Sequence, residues 1–343
     1  MLIRAKAPLR LGFAGGGTDV SPYSDQFGGA ILNASINLYA YATIKPNAEE
    51  GKIILYSVDR NEKQILNAEE YLKIDGTLDL LKGVYNRIIK DFIKKPLSFE
   101  LTTFVDAPAG SGLGTSSTLV VAILGAFSEW LGLPLGEYDV AHLAYEIERI
   151  DLDMAGGKQD QYAAAFGGFN FMEFYANDKV IVNPLRIKED YINELNFNML
   201  LYYTGTSRLS AKIIEVQANN VKQKKEKSID AMHKLKEQSV MMKEAVLRGN
   251  IESIGQILDF GWKYKKQSAE EITNPLIDEI YESAIKNGAT GGKISGAGGG
   301  GFMFFYCPKN TRYHVIDALQ NFGGEFRRFN FEKKGVQTWK VKK

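Results

Sequence analysis

Three glycine clusters constrain this chain more than anything else in it: "AGGGTD" at 14–19, "AGSGLG" at 109–114 and "GAGGGG" at 296–301, each abutting regular structure. Flexible linkers are not flanked this way. Ahead of the middle cluster, "LSFELTTFVD" (97–106) sets Leu97, Phe99 and Leu101 against Ser98, Glu100 and Thr102, the alternation of a half-buried strand. Behind it, from Thr115 or Ser116, "SSTLVVAILGAFSEWLG" is apolar and reads as a buried helix of about four turns. The order is strand, glycine-rich loop, helix start. The first N–H groups of a helix lack intrahelical partners, the macrodipole adds positive potential, and glycine lets an anion approach the main chain, so the segment suits a phosphate. An ordinary turn capped by Thr115 or Ser116 is the competing reading. A P-loop is excluded, because no lysine follows the last glycine in the G-K-[ST] manner. A dinucleotide fingerprint, with Glu137 or Asp139 downstream, is opposed by the alternation of residues 97–106 and by Thr115 standing where the third glycine should be.

The chain has 343 residues, more than single cores usually reach, which predicts two domains with function between them. Forty-two Lys and Arg nearly cancel 41 Asp and Glu, removing the broad positive field of a nucleic-acid binder and favouring a small-molecule partner. The lone cysteine, Cys307 in "GFMFFYCP", excludes an intramolecular disulfide framework or cysteine-rich zinc site and reads as core packing. No signal-peptide pattern opens the chain and no window reaches a membrane span, so a cytoplasmic protein without membrane partners is expected. No G-x-S-x-G elbow supports a serine hydrolase, and His142, His233 and His314 fall in no motif.

The opening third reads as strand-rich, with "ASINLYAYATIKP" (34–46) alternating and "IILYSV" (53–58) following; "LDLLKGVYNRIIKDF" (78–92) suggests a helix. Later come strand-like "NFNMLLYYTG" (196–205), a mostly helical stretch over 208–265, and a helix over 274–288 ended by Gly288. The basic run "KQKKEK" (222–227) reads as a solvated helix face. Ala141, Ala144, Tyr145 and Glu148 fall at i, i+3, i+4 and i+7, which puts Glu148 on an inward face; a surface pairing with Arg149 or Lys158 is the alternative. The glycine pairs around "KQDQYAAAF" suggest a short helix with Asp160 in its first turn, where the dipole favours an ionised carboxylate.

"PAGSGLGTSS" (108–117) resembles the ATP-binding P-x-G-x-G-L-[GA]-[ST]-S loop of the GHMP small-molecule kinases (galactokinase, homoserine kinase, mevalonate kinase, phosphomevalonate kinase), and "GAGGGG" their C-terminal glycine motif. The resemblance spans the chain with its motifs in order. It implies an α+β fold of two halves, one like domain 2 of ribosomal protein S5 and one ferredoxin-like, placed here at 1–190 (ATP and sugar) and 191–343, with the active site in the cleft between. It implies ATP as phosphoryl donor, held by Pro108, Gly110, Ser111, Gly112, Leu113, Gly114, Thr115 and Ser116, and Mg2+ on Ser116 and Glu148. It also implies Asp160 as catalytic base, matching the aspartate of the galactokinase G-x-M-D-Q segment. Arg10, in place of the arginine of A-P-G-R, would offset developing charge, and Asp19 would accept hydrogen bonds from sugar hydroxyls; a strand-end ion pair is the plainer reading of these two.

Departures from galactokinase bear on the substrate. Gly16 and Gly17 replace an acidic residue and a histidine, which implies a roomier pocket, and Lys158 replaces an apolar position. With "YTGTSRLSAKII" (203–214), these features resemble the branch containing D-glycero-D-manno-heptose 7-phosphate kinases. The implied reaction is transfer from ATP to the anomeric hydroxyl, giving the 1,7-bisphosphate for nucleotide-activated heptose and surface polysaccharide. A phosphorylated sugar needs cations away from the base; Arg208, Lys212 four residues on, and Lys158 are the candidates, with Gly296 and Gly298 also expected at the substrate. The alternatives are a fucokinase-like or other sugar 1-kinase, a non-catalytic sugar and ATP sensor, opposed by the joint presence of Asp160, Glu148 and Ser116, and an NAD-dependent oxidoreductase. Oligomeric state is not legible.

Overall fold

The alternation read in the first third becomes a long antiparallel ribbon. Strand β1 (Leu2–Ala14) pairs with β2 (Gly29–Pro46) along almost its whole length, with register shifts at Pro8/Leu9 and Gly12/Ala14. The computed structural model describes residues 1–205 and 210–342; Arg208, expected at the substrate, lies outside them.

β2 is long enough to serve two neighbours in succession. Its Ala40–Pro46 half pairs with β5 (Phe99–Val105), and its Gly29–Ala34 half with β6 (Phe169–Phe174), itself paired with β7 (Val180–Pro184). β3 (Lys52–Ser57) runs parallel to β5 and antiparallel to β4 (Glu62–Asn67). Phe99, Leu101 and Val105 of β5 are buried while its alternate residues are half-open or exposed, as its period of two requires. The Thr115–Leu131 helix lies across β1 and β2, buried from Ser117 to Phe127. A stretch apolar on all sides can only be an inner helix.

The second sheet is antiparallel throughout, in the order β11 (Glu325–Arg327), β8 (Met199–Tyr203), β10 (Phe302–Tyr306), β9 (Gly291–Ile294). Leu200, Tyr202, Trp262, Ile277, Ile280 and Phe305 form its core together with Cys307. Burial pushes the Cys307 thiol up to about 12, so it packs as an apolar group. The expected helical stretch resolves into helices Ser210–Lys222, Glu226–Arg248 and Ile254–Ser268.

Three features depart from expectation. The run 222–227 is solvated but is no helix face: it turns the chain between two helices, with Lys224 at φ +55°. The strand expected from 196 starts at Met199, because Ile192 and Leu195, three apart, hold Glu189–Asn198 as a helix against the core. And β12 (Gln337–Val341) returns to pair with β1. The sheet of the first half is therefore completed by residues from the second.

Candidate active site

The three glycine clusters meet in one cleft of about 350 Å3. Arg10, on β1 and 3% exposed, links the middle cluster to Ser295 at the edge of the third. Its Nε donates to Asp160 Oδ1 at 2.7 Å and its Nη2 lies 2.6 Å from the same oxygen. Its Nη1 donates to Gly112 O (2.6 Å) and Ser295 Oγ (3.3 Å), and its own N–H to Leu113 O (3.2 Å). One guanidinium thus ties β1, the middle loop, the Asp160 helix and the edge of the third cluster; its planar fork suits several partners at once. Arg10 pairs with Asp160 rather than Asp19, so the plainer strand-end reading does not describe it.

Asp160 sits in the first turn of helix Gln159–Phe166, as its flanking glycines predicted. Both strong contacts of Arg10 fall on Oδ1; Oδ2 has no hydrogen-bond partner among the described residues. A methyl group on Gly114 would come within 3.1 Å of Asp160 Cγ. The carboxylate therefore stands directly against the N-terminus of the Thr115–Leu131 helix. That terminus is capped by Gly114 with no side-chain hydrogen bond, so neither Thr115 nor Ser116 acts as a side-chain cap. The first-turn amides are left without a side-chain acceptor. Gly112 meets the third cluster backbone to backbone: at φ +82°, a Cβ there would fall 2.2 Å from Ser295 O.

Asp19, 2% exposed, supplies the cap that Lys158 does not: its Oδ2 accepts from Lys158 N (2.9 Å) and Gln159 N (3.1 Å), and its Oδ1 from Gly17 N (3.2 Å). A carboxylate has about four acceptor positions, so Oδ1 retains one. Burial, with Asp160 nearby, pushes the Asp19 carboxyl above its ordinary range.

Glu148 follows helix Glu137–Glu146 on a π-helical turn, Ile147–Asp151, closed by Leu152 N–H donating to Ile147 O. It is 1% exposed, facing the cleft with Ala141 and Ala144 buried on the same side. Oε2 accepts from Gln161 Nε2, which also donates to Ser117 Oγ. Oε1 has no hydrogen bond, only Arg149 Nη1 at 3.8 Å. Burial drives this carboxyl's pKa up, against the pull of Arg149. A buried carboxylate oxygen without a donor, in the same cleft as half-buried Ser116, fits a hard cation. No group of three His, Cys, Asp or Glu able to hold a metal occurs among the described residues, so such a cation would take its other oxygens from water or phosphate.

Of the other expected residues, Gly16, Gly17, Gly110, Gly112, Gly114, Thr115, Ser116 and Gly296 line the cleft, whereas Ser111 and Leu113 are buried beneath the loop and Pro108 is exposed outside the cleft. Gly298 does not line it: it is packed on Ile272. Lys158 also turns away. Its buried ammonium lies 2.7 Å from Asp178 and over the Tyr145 ring, in an adjoining recess. Lys212 is exposed and paired with Glu271 at 3.1 Å.

Two cleft cations escaped the sequence reading. Lys265 is 3% exposed and Lys293 is 4% exposed; both line the cleft. Lys265 donates to Gly16 O (3.1 Å) and Lys293 to Gly12 O (2.8 Å). Burial lowers both ammonium groups, Lys265 to about 8 against the pull of Asp19, and Lys293 to about 7 with help from Lys265 and Arg10. The signal for Lys265 was present: Ile254, Ile257, Leu258, Gly261 and Trp262 form the inward stripe of its helix, and Lys265 falls on that stripe.

Comparison with known proteins agrees with this geometry. The GHMP kinases N terminal domain matches residues 79–168, and the GHMP kinases C terminal domain matches 242–325. A D-glycero-alpha-D-manno-heptose 7-phosphate kinase of Campylobacter jejuni is 52% identical, covering 99% of each chain. The crystal structure of a D-glycero-D-manno-heptose 1-phosphate kinase from Bacteroides thetaiotaomicron superposes with a TM-score of 0.84 at 48% identity, over 99% of this chain and 100% of that one. An L-fucokinase/L-fucose-1-P guanylyltransferase of Bacteroides fragilis is 28% identical over 98% of this chain and 38% of that longer protein. With the α+β architecture of two sheets and the three glycine clusters meeting in one cleft, these matches show that the chain belongs to the GHMP kinase family.

Proposed function

We propose that this protein transfers the γ-phosphoryl group of ATP to the anomeric hydroxyl of D-glycero-D-manno-heptose 7-phosphate, giving the 1,7-bisphosphate. The observation that carries the reading is the placement of the Asp160 carboxylate, fixed by Arg10, against the uncapped start of the Thr115–Leu131 helix. The Campylobacter jejuni relative's substrate, at 52% identity, supports the choice of sugar.

Phosphoryl transfer asks for positioning and charge stabilisation more than for covalent chemistry. The amides at 114–117 and the glycines before them receive phosphate oxygens of ATP. Asp160 Oδ2, without a hydrogen-bond donor among the described residues, orients the attacking hydroxyl and accepts its proton. Arg10 holds Oδ1, so the carboxylate keeps its orientation, and its charge offsets what develops on the oxygens. Asp19 keeps one acceptor for a sugar hydroxyl. Glu148 Oε1 and the Ser116 hydroxyl are the groups that would hold Mg2+, which when bound neutralises phosphate charge.

ADP release measured over a panel of free and phosphorylated sugars, with phosphorus NMR of the product, tests the reading. A new anomeric phosphate on heptose 7-phosphate is expected. A preference for L-fucose would move the protein to the fucokinase-like reading that the Bacteroides fragilis relative favours, and no turnover with retained sugar and ATP binding would make it a sensor.

A further inference from the structure

Lys265 and Lys293 have no part in the reaction described above, yet each is almost fully buried and faces the cleft. An ammonium has three N–H donors. Each of these uses one, on the backbone oxygen of Gly16 or Gly12, and neither has a carboxylate within 4.0 Å among the described residues. The cleft's arginines each have a carboxylate beside them: Arg10 lies on Asp160, and Arg149 stands 3.8 Å from Glu148. Asp19 is the carboxylate that acts on Lys265, but its oxygens are occupied chiefly by the amides of Lys158, Gln159 and Gly17. Lys293 faces Lys265, Arg10 and the Phe304 ring. Two buried cations next to one another with spare donors are costly unless an anion joins them.

Both lysines border the first glycine cluster. Lys265 Nζ lies 3.3 Å from where a Cβ on Gly17 would stand, and Lys293 Nζ 4.0 Å from one on Gly16. Gly17, at φ +104°, leaves open the space that a side chain would fill between the ammonium group and the cleft. The first glycine cluster thus exposes both lysines to a ligand on the Asp19 side.

We infer that Lys265 and Lys293, uncovered by Gly16 and Gly17, form the subsite for the phosphate that the sugar substrate already carries, and so set the enzyme's preference for a phosphorylated sugar. The subsite replaces the expected role of Lys158 and Lys212, whose ammonium groups face Asp178 and Glu271. The depressed pKa values agree with a pair that awaits a dianion. This inference rests on the proposed sugar-phosphate reaction.

The test is steady-state kinetics of Lys265→Met and Lys293→Met with heptose 7-phosphate and with the unphosphorylated heptose. The ratio of kcat/KM for phosphorylated over free sugar should fall on the order of 100-fold, the scale for truncating one partner of a buried charge pair, with partial recovery in Lys265→Arg. Equal losses on both sugars, or a rise confined to the KM for ATP, would overturn the assignment; the second result would give the cations to the nucleotide. Should wild type turn over no sugar phosphate, the proposed reaction fails and the subsite is read separately, by thermal protection with orthophosphate. Protection lost in the double variant upholds it; equal protection in both overturns it.

Discussion

Glu148 places a charge where folding gains nothing from it. Its Oε1 lacks a donor and its pKa is driven up from 4.5 by burial. A carboxyl whose folded pKa lies above its unfolded value contributes stability below the unfolded pKa, and that contribution is lost as pH rises through the folded one. The same sign holds for Asp19, raised from 3.8. Without a cation, Glu148→Gln should therefore melt higher than wild type near neutral pH, by about 2–4 °C, and show less loss of Tm as pH rises above the ordinary carboxylate range. The same substitution should raise the Mg2+ needed for half-maximal rate by about tenfold or more. A variant with wild-type Tm and wild-type Mg2+ dependence would remove Glu148 from the cation site. The placement of such residues was legible where a local pattern carried it, as with Glu148 on an inward face and Asp160 in a first helical turn, while the roles proposed for them rest on the resemblance. Lys158 was misread because its partner Asp178 lies 20 residues on, in the turn between β6 and β7, a contact no local period reveals.

At the scale of elements, the strand, loop and helix around 99–131 could be read from sequence because short-range periodicity and glycine placement determine them. The interlock of that loop with the third cluster could not, since it depends on two backbones meeting from 183 residues apart. Gly112→Ala would drive its Cβ into Ser295 O, and should cost about 1–3 kcal/mol and raise the KM for ATP. Asn274, whose side chain accepts from Ile277 N at 3.0 Å to cap the Pro275–Lys286 helix, is the control: Asn274→Ala should cost about 1 kcal/mol in denaturant unfolding and leave kcat near wild type. A loss of ATP affinity in both variants would show that general destabilisation, not loop geometry, moves the KM.

For the whole molecule, the proposed division at 1–190 and 191–343 meets a chain that crosses it twice. β12 completes the first sheet against β1, and Val336 and Thr338 pack on Gly125 of the Thr115–Leu131 helix. A fragment of residues 1–190 should accordingly be protease-sensitive and regain protection when a peptide covering 325–343 is added; a fragment that resists proteolysis alone would make the first half autonomous. Non-local return of this kind is the part of the fold that sequence periodicity cannot supply, because β12 pairs with a strand more than 300 residues distant. The cleft itself is a product of that whole: Arg10 reaches Asp160, Gly112 and Ser295 from one strand position.

In the proposed reaction Asp160 takes the proton of a hydroxyl held against phosphates at the Thr115 helix start. Single-turnover phosphoryl transfer by Asp160→Asn, run beside calorimetric binding of ADP and the sugar phosphate, tests it most directly. The rate should fall by about 10²–10⁴-fold while both ligands bind within a few-fold of wild type; transfer at the wild-type rate would exclude Asp160 as the base.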